Sequence, residues 1–280
     1  MNNLLLRKYE EADEQSIAQI TEPDYYEKYK EFSKQSISVA EKDGIIVGWL
    51  HLYVPDNSLY SCFLFIYVSS VLRRSGIGTF IYNEAKKQIE PSGCNWWSSY
   101  LESKEADLFA LSVGFDYTNT NFYLVHSGEI IDIPSEGIRE YTDDDYPAAP
   151  DIWSHEYADM HIRIGLPYVI KERTEEERAA ERKDYKDNQK SYYVLEDNGI
   201  IIGIGGLFDD NSGMGMLAVD RTYVGKGYGT KLAAYITNEC IRRGCKNPCT
   251  YCESNNANAM HIYKKIGYVE KSRESVALHH

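Results

Sequence analysis

The sequence predicts an α/β protein built from two similar domains in tandem, each with a mixed, mostly antiparallel sheet flanked by helices. Three observations carry this expectation. The chain has 280 residues, enough for about two domains. It repeats itself in order. In each copy, two strands joined at a tight turn precede strands that alternate with helices.

The repeat sets the order of the elements. Leu6 to Asp13 is echoed by Ile138 to Asp145, and Ser38 to Gly48 by Tyr193 to Gly203. Val68 with Gly76-Ile77-Gly78-Thr79 is echoed by Val219 with Gly227-Tyr228-Gly229-Thr230. The spacing changes mainly before the second match, so the second copy carries an early insertion of about twenty residues, whose extra material includes a charged helix from Thr174 to Lys186. Proline and glycine punctuate Ile131 to Gly137, which places the joint there and the domains at residues 1–134 and 135–280. Each copy opens with a short strand and a polar helical stretch. Asp43-Gly44 and Asn198-Gly199 then sit between apolar runs, the signal for a two-residue hairpin. A third strand follows, Tyr60 to Val68 and Gly213 to Val219. A glycine-rich loop next opens a helix, Gly78 to Gln88 and Gly229 to Arg243. Another strand, a helix and a closing strand pair complete each copy.

Composition narrows the functional classes. Asp and Glu number 43 against 30 Lys and Arg, a formal net charge of −13 that argues against nonspecific nucleic-acid binding. The longest apolar run, Phe63 to Val68, falls far short of the ~20 residues of a membrane-spanning helix. No secretory signal is legible at the start, so the expectation is a cytoplasmic protein without a membrane partner. The acidic balance is weakly compatible with a cationic substrate. Cys240, Cys245, Cys249 and Cys252 raise the question of zinc. Cys249 and Cys252 lie three apart in a strand and so point to opposite faces, and reduced apolar cysteines are the simpler reading. No metal site is expected.

The stretch Val219 to Thr230 carries the chemistry. A strand ends, Gly225, Gly227 and Gly229 follow within five residues, and a helix begins. Glycines let backbone N–H groups crowd toward one point, and a helix N-terminus adds partial positive charge. That is a cradle for a pyrophosphate, although tight turns repeated by duplication would give the same glycines. No Gly-Lys-[Ser/Thr] follows with nucleotide-loop spacing. The loop also comes after a hairpin rather than opening a βαβ unit, so it is not a dinucleotide fingerprint.

With these residues in view, the chain resembles the GNAT superfamily of acyl-CoA-dependent N-acetyltransferases, in tandem. The family's [Arg/Gln]-x-x-Gly-x-[Gly/Ala] motif matches Arg73-Arg74-Ser75-Gly76-Ile77-Gly78 in full. It matches Val224-Gly225-Lys226-Gly227-Tyr228-Gly229 except at Val224. Its second motif, Asn-x-x-Ala-x-x-x-Tyr, matches Asn256-Ala257-Asn258-Ala259-Met260-His261-Ile262-Tyr263, with Asn256 as a helix cap. In the first copy Ser103, Ala106 and Ala110 stand at these positions, so the tyrosine is missing. The resemblance implies acetyl-CoA as co-substrate. It places that molecule on Gly225, Lys226, Gly227, Tyr228, Gly229, Thr230 and Asn256, and in the first copy on Arg74, Gly76, Gly78 and Thr79. It also implies an oxyanion met by backbone N–H near a bulge around Leu217, Ala218 and Val219, and Tyr263 as the acid that protonates the thiolate.

The spacing of Tyr263 also fits a core tyrosine. Glu253 is the best candidate base by position, though it reads more readily as an ordinary exposed loop glutamate. His155 and His161 fall in the inserted region and do not form a His-Glu-x-x-His motif. Two function classes remain at this point. One is an N-acetyltransferase with the second copy catalytic and a small-molecule or peptide amine as acceptor. The other is a non-catalytic acyl-CoA-binding or interaction protein that keeps the fold. The acceptor and the oligomeric state are not legible.

Overall fold

The computed structural model describes residues 3–55, 62–94, 96–101, 103–165, 170 and 172–279, without the side chains of 99, 101 and 117. The first copy runs β1 (Leu4–Lys8), α1 (Glu14–Ile20), α2 (Pro23–Glu31), β2 (Ile37–Lys42), β3 (Ile45–Tyr53), β4 (Cys62–Val68), α3 (Ile77–Ile89), β5 (Trp96–Leu101), α4 (Lys104–Ser112) and β6 (Tyr117–Val125). The second runs β7 (Ile138–Glu140), α5 (Ala148–Arg163), α6 (Glu175–Asp187), β8 (Tyr192–Asp197), β9 (Ile200–Leu207), β10 (Met214–Val219), α7 (Tyr228–Arg242), β11 (Cys249–Glu253), α8 (Ala257–Lys265) and β12 (Val269–His279). The start expected for the third strand, Tyr60, lies outside the described residues.

Both hairpins form as the dipeptides require. Asp43 and Gly44 hold φ of 52° and 80°, and Asn198 and Gly199 hold 51° and 75°. Two successive left-handed residues make the turn whose twist suits adjacent antiparallel strands. Each hairpin carries a register shift at the same place, between Ala40 and Glu41 and between Leu195 and Glu196.

The chain divides into two units, Met1–Thr120 with Glu274–His280, and Asn121–Arg273. This differs from a boundary after residue 134 in two ways. First, the Pro- and Gly-rich stretch is not a free linker. Asn238 on α7 accepts from Ile131 N–H (2.8 Å) and donates to its carbonyl (2.9 Å), which binds that stretch into the second unit. Second, the copies exchange their closing strands. In the first unit Glu274–His279 of β12 pairs antiparallel with β5, and His279 stacks on Trp96. In the second unit Asn121–Val125 of β6 pairs with β11. A fragment ending at residue 134 therefore lacks a strand of the first unit.

The sheet of the first unit runs β1-β2-β3-β4-β5-β12, antiparallel up to β12 except between β4 and β5, and β6 follows β12 in the order. Ile77, Ile81, Ala85 and Ile89 recur four apart on α3 and are all buried, as an amphipathic helix on a sheet requires. The second unit has the antiparallel order β10-β9-β8-β7. Leu232, Ala233, Ile236 and Cys240 of α7 are buried in one core cluster. Tyr141, Tyr185, Val194, Ile204 and Ala218 form another, against which Ile152 and Trp153 of α5 pack. The insertion is not one added helix. It lengthens both helices of the copy, to 16 and 13 residues in α5 and α6 against 7 and 9 in α1 and α2. Among the described residues, no helix is long and apolar enough to cross a membrane.

One ion pair recurs in both units. Arg7 grips Asp13 with two bonds (2.7 and 2.8 Å) and Glu41 with a third (2.8 Å). Arg139 does the same to Asp145 (2.8 and 2.7 Å) and Glu196 (2.9 Å). The Asp145 side chain is 4% exposed. Burial works against its charge, but Arg139 and the N–H and hydroxyl of Thr142 outweigh it and hold the carboxyl below its ordinary pKa. A depressed carboxylate contributes stability above its unfolded pKa and loses it as pH falls through the folded one. Asp145→Asn should cost about 2 kcal/mol at pH 7, below the ~3–5 for a fully buried pair because Arg139 is 40% exposed. The gap between parent and variant in urea unfolding should close as the pH drops below ~4, and a gap that persists there would assign the effect to packing.

Candidate active site

Two strands of the second unit meet at one point and then part. Gly213 bridges Cys249 in parallel, Cys249 N–H donates to Ser212 (3.0 Å), and the Thr250 hydroxyl donates to the Met214 carbonyl (2.9 Å). Beyond this contact β10 pairs only with β9, and β11 only with β6. A Cβ at residue 213 would lie 1.8 Å from the Cys249 carbonyl oxygen, so the junction admits only glycine. The bulge expected around Leu217, Ala218 and Val219 is displaced toward the junction. The register shifts between Met214 and Met216, at Gly215, where a Cβ would lie 2.8 Å from the Phe208 ring.

A cleft of about 820 Å³ opens between the parting strands. Residues 214–219 form one wall, with Leu217, Ala218 and Val219 among them. Thr250 to Glu253 and the α8 residues Ala259, Ile262 and Tyr263 form the other. Asn256 lines the cleft and caps α8, its Oδ1 accepting from Ala259 N–H at 3.3 Å. Tyr263 is 7% exposed and sits beside the Thr250 hydroxyl, and burial pushes its phenol well above the ordinary tyrosine value. Burial also pushes the neighbouring Cys252 thiol up to about 12. Glu253 stands in the wall at the end of β11, its carbonyl accepting from Asn256 N–H (2.9 Å).

The glycine loop closes one end. Gly225 and Gly227 hold φ of 84° and 87°, and a Cβ on either would meet no protein atom within 4 Å. These glycines therefore serve the left-handed backbone rather than close packing. The first bond of α7 runs from Lys231 N–H to the Gly227 carbonyl (3.0 Å), so Tyr228, Gly229 and Thr230 present N–H groups with no carbonyl one turn back. Gly225, Gly227, Gly229 and Thr230 line the cleft together with Val224. Lys226 and Tyr228 do not line it. Along this turn the glycines face the cleft while the intervening side chains lie elsewhere, with Lys226 over the Tyr223 ring at 4.7 Å.

The fourth side was not legible in the sequence. Helix α5 spans the cleft and is tied down on either side of it. The Arg221 N–H donates to Glu156 (3.1 Å) and its guanidinium meets Asp159 (3.2 Å), while Asn255 donates to the Ile164 carbonyl (3.4 Å). Along the same helix Trp153, Tyr157 and His161 descend one face at four-residue spacing, with ring centroids 4.8 and 4.1 Å apart. That spacing was the available signal. The Nδ1–H of His161 donates to the Tyr157 carbonyl (2.8 Å), and burial lowers its pKa, so the ring is neutral at pH 7. His261 of α8 also lines the cleft, whereas His155 does not.

In the first unit the matching loop is differently engaged. Gly76 caps α3 at φ 87° and Arg74 holds φ 63°, where the second copy has Gly225. Arg73 is held by Glu22 (2.8 Å) and the Val68 carbonyl (3.2 Å). A Cβ on Gly78 would sit 3.2 Å from the Phe109 ring, and Ala110 is buried where Tyr263 stands in the other copy. Thr79 follows in the first turn of α3, and Arg74, Gly76, Gly78 and Thr79 do not line the described cleft. The six cysteines are free thiols, and no group of three metal-binding side chains occurs among the described residues.

The model described as the acetyltransferase (GNAT) family matches residues 3–115 and again 146–268. The chain therefore belongs to the GNAT acetyltransferase family, as a tandem of two copies. It is similar in fold to a GCN5-related N-acetyltransferase from Sphaerobacter thermophilus, with 15% identity over 99% of this chain and 96% of that one, TM-score 0.64. It also resembles the glucosamine N-acetyltransferase region of a fungal multi-domain β-N-acetylglucosaminidase, with 15% identity over 98% of this chain and 38% of that one, TM-score 0.62. A third likeness is a tandem GNAT protein of the clavulanic acid biosynthesis pathway, with 14% identity over 98% of each chain and TM-score 0.53. No curated protein matches the sequence.

The strand junction can be tested directly. Gly213→Ala should destabilise the protein by about 2–3 kcal/mol, because the added carbon meets backbone that cannot rotate away. Thermal unfolding measures it, and a melting point unchanged from the parent would show that the strands do not meet there.

Proposed function

We propose that the second unit transfers an acetyl group from acetyl-CoA to a primary amine by direct attack within the cleft. One observation carries the reading: Tyr263 stands on the wall of the same cleft that ends in the glycine loop. The loop fits the proposed co-substrate. Its N–H groups and the start of α7 favour an anionic pyrophosphate, and its two left-handed glycines leave the approach unobstructed by side chains.

Bound acetyl-CoA would supply a thioester carbonyl activated for transfer. The backbone of β10, freed from pairing on the cleft side, would offer N–H groups to the carbonyl oxygen around Leu217, Ala218 and Val219. An alkyl amine has a pKa near ~10, so it arrives as the ammonium and must lose a proton. Glu253 and the neutral His161 line the cleft and are the candidates to take it. Burial keeps the Tyr263 phenol protonated, so it serves as the hydrogen donor to the departing sulfur. The nitrogen loses two protons in going from ammonium to amide: one passes through the base to solvent, and the second restores the tyrosine hydroxyl after it has protonated the sulfur. The high pKa of Cys252 keeps that thiol protonated at neutral pH, which disfavours a route through an acylated cysteine.

A second reading, binding without turnover, rests on Val224, which is 58% exposed in the loop where the family motif has Arg or Gln. Thiol release from acetyl-CoA over a panel of amines separates the two, since the second reading expects none.

Two variants probe the assignment. Tyr263→Phe should lower kcat by about 10²-fold at nearly constant acetyl-CoA affinity, because the ring still packs and only the hydroxyl is lost. A kcat within about threefold of the parent, with chemistry rate-limiting, would return Tyr263 to the core. Gly229→Asp should weaken acetyl-CoA binding at least about tenfold by placing bulk and negative charge at the helix start. Calorimetry showing one site of unchanged affinity in the folded variant would move the cofactor elsewhere.

A further inference from the structure

We infer that the acceptor is a small amino acid with an apolar or aromatic side chain, its carboxylate read by Arg163. The inference rests on the proposed transfer reaction and names its substrate class.

Three features of the cleft point there. The first is the state of its carboxylates. The protein carries a formal charge of −13, yet among the described residues only three carboxylates line the cleft and two of them are already paired. Glu156 and Asp159, the two acidic side chains that α5 turns to the cleft, are both engaged by Arg221. Glu253 is the third carboxylate of the lining, and His161 is neutral. A polyamine or aminoglycoside brings several positive charges, each needing a counter-charge once it leaves water. This lining does not supply them.

The second feature is the wall. Tyr157 and Met160 descend from α5, and Phe208, Met214, Met216 and Tyr251 face the cleft from the sheet side. Such a surface accepts a flat or branched apolar body, with thioethers that adapt to its shape. A sugar or an extended polar chain would lose its hydration against it without recovering hydrogen bonds.

The third is a cation without a counter-ion. Arg163 lies in the last turn of α5, lines the cleft, and forms no ion pair among the described residues. It is two residues beyond His161 and next to Ile164, whose carbonyl Asn255 holds. Arg163 is exposed, and a guanidinium carried at the end of an anchored helix offers a planar fork that matches a carboxylate. An amine with an apolar body and a carboxylate satisfies all three features at once.

The test uses the full chain with saturating acetyl-CoA and four acceptors: L-phenylalanine, phenethylamine, spermidine and kanamycin. Thiol release gives kcat/KM, and calorimetry with CoA present gives acceptor binding. L-Phenylalanine should exceed its decarboxylated analogue by about fivefold or more, the scale of a partly exposed ion pair, with both polycations below phenethylamine. Arg163→Gln should bring the ratio of L-phenylalanine to phenethylamine toward one, mainly through KM. A preference for spermidine or kanamycin, or an unchanged ratio in Arg163→Gln, would overturn the inference while leaving the transfer reaction standing. L-Phenylalanine that binds in preference to phenethylamine but is never acetylated would support the recognition and overturn the transfer. Neither binding nor turnover with any amine would overturn both.

Discussion

The candidate site depends on two strands being unable to stay together. At Gly213 the backbones of β10 and β11 approach as closely as backbones can, and beyond it each strand is committed to another neighbour. A sheet that splits in this way exposes N–H and C=O groups of two interior strands to one cavity. Buried backbone groups require partners. A cleft walled by them is therefore a place where a ligand carbonyl or amide can complete what the sheet leaves open. The bulge at Gly215, the buried Tyr263 and the capped start of α8 are all arranged around this divergence.

The first copy engages the corresponding strands and loop differently. There β4 and β5 stay paired through three rungs, from Cys62 with Trp96 to Leu64 with Ser98. Trp49, Phe65 and Tyr67 stack into a continuous aromatic layer, and Tyr67 also holds Glu22 by a hydrogen bond of 2.7 Å. Glu22 in turn takes Arg73, the residue by which this copy matches the family motif in full. A motif intact in sequence can thus be occupied internally, and residue identity at a loop does not by itself establish a ligand site.

Local signals were legible and non-local ones were not. The Asp-Gly and Asn-Gly turns, the Asn256 cap and the left-handed glycines each depend on a few consecutive residues, so their chemistry could be read directly. The insertion was visible as a change of spacing. Its form, two longer helices with α5 laid across the cleft, depends on Arg221 and Asn255, about sixty and ninety residues away in sequence. The bulge moved because Phe208 packs where a Cβ at Gly215 would go, a contact between strands that no periodicity encodes. The division by contacts departs from the joint read in the sequence for the same reason. Pro and Gly marked a real irregularity, but Asn238 decides to which unit it belongs.

The exchanged closing strands set an order on biosynthesis. A chain leaves the ribosome from its N-terminus, and most domains can complete their sheets before the next one emerges. Here β5 waits for a partner encoded more than 170 residues later, at Glu274–His279. Until those residues are made, the first unit keeps an open sheet edge beside Trp96 and Trp97, the kind of edge that pairs with foreign strands. The second unit has no such delay, because Asn121–Val125 of its sheet is synthesised before the rest of it. The copy bearing the cleft can therefore complete its pairing with Asn121–Val125 before the first copy gains its last strand.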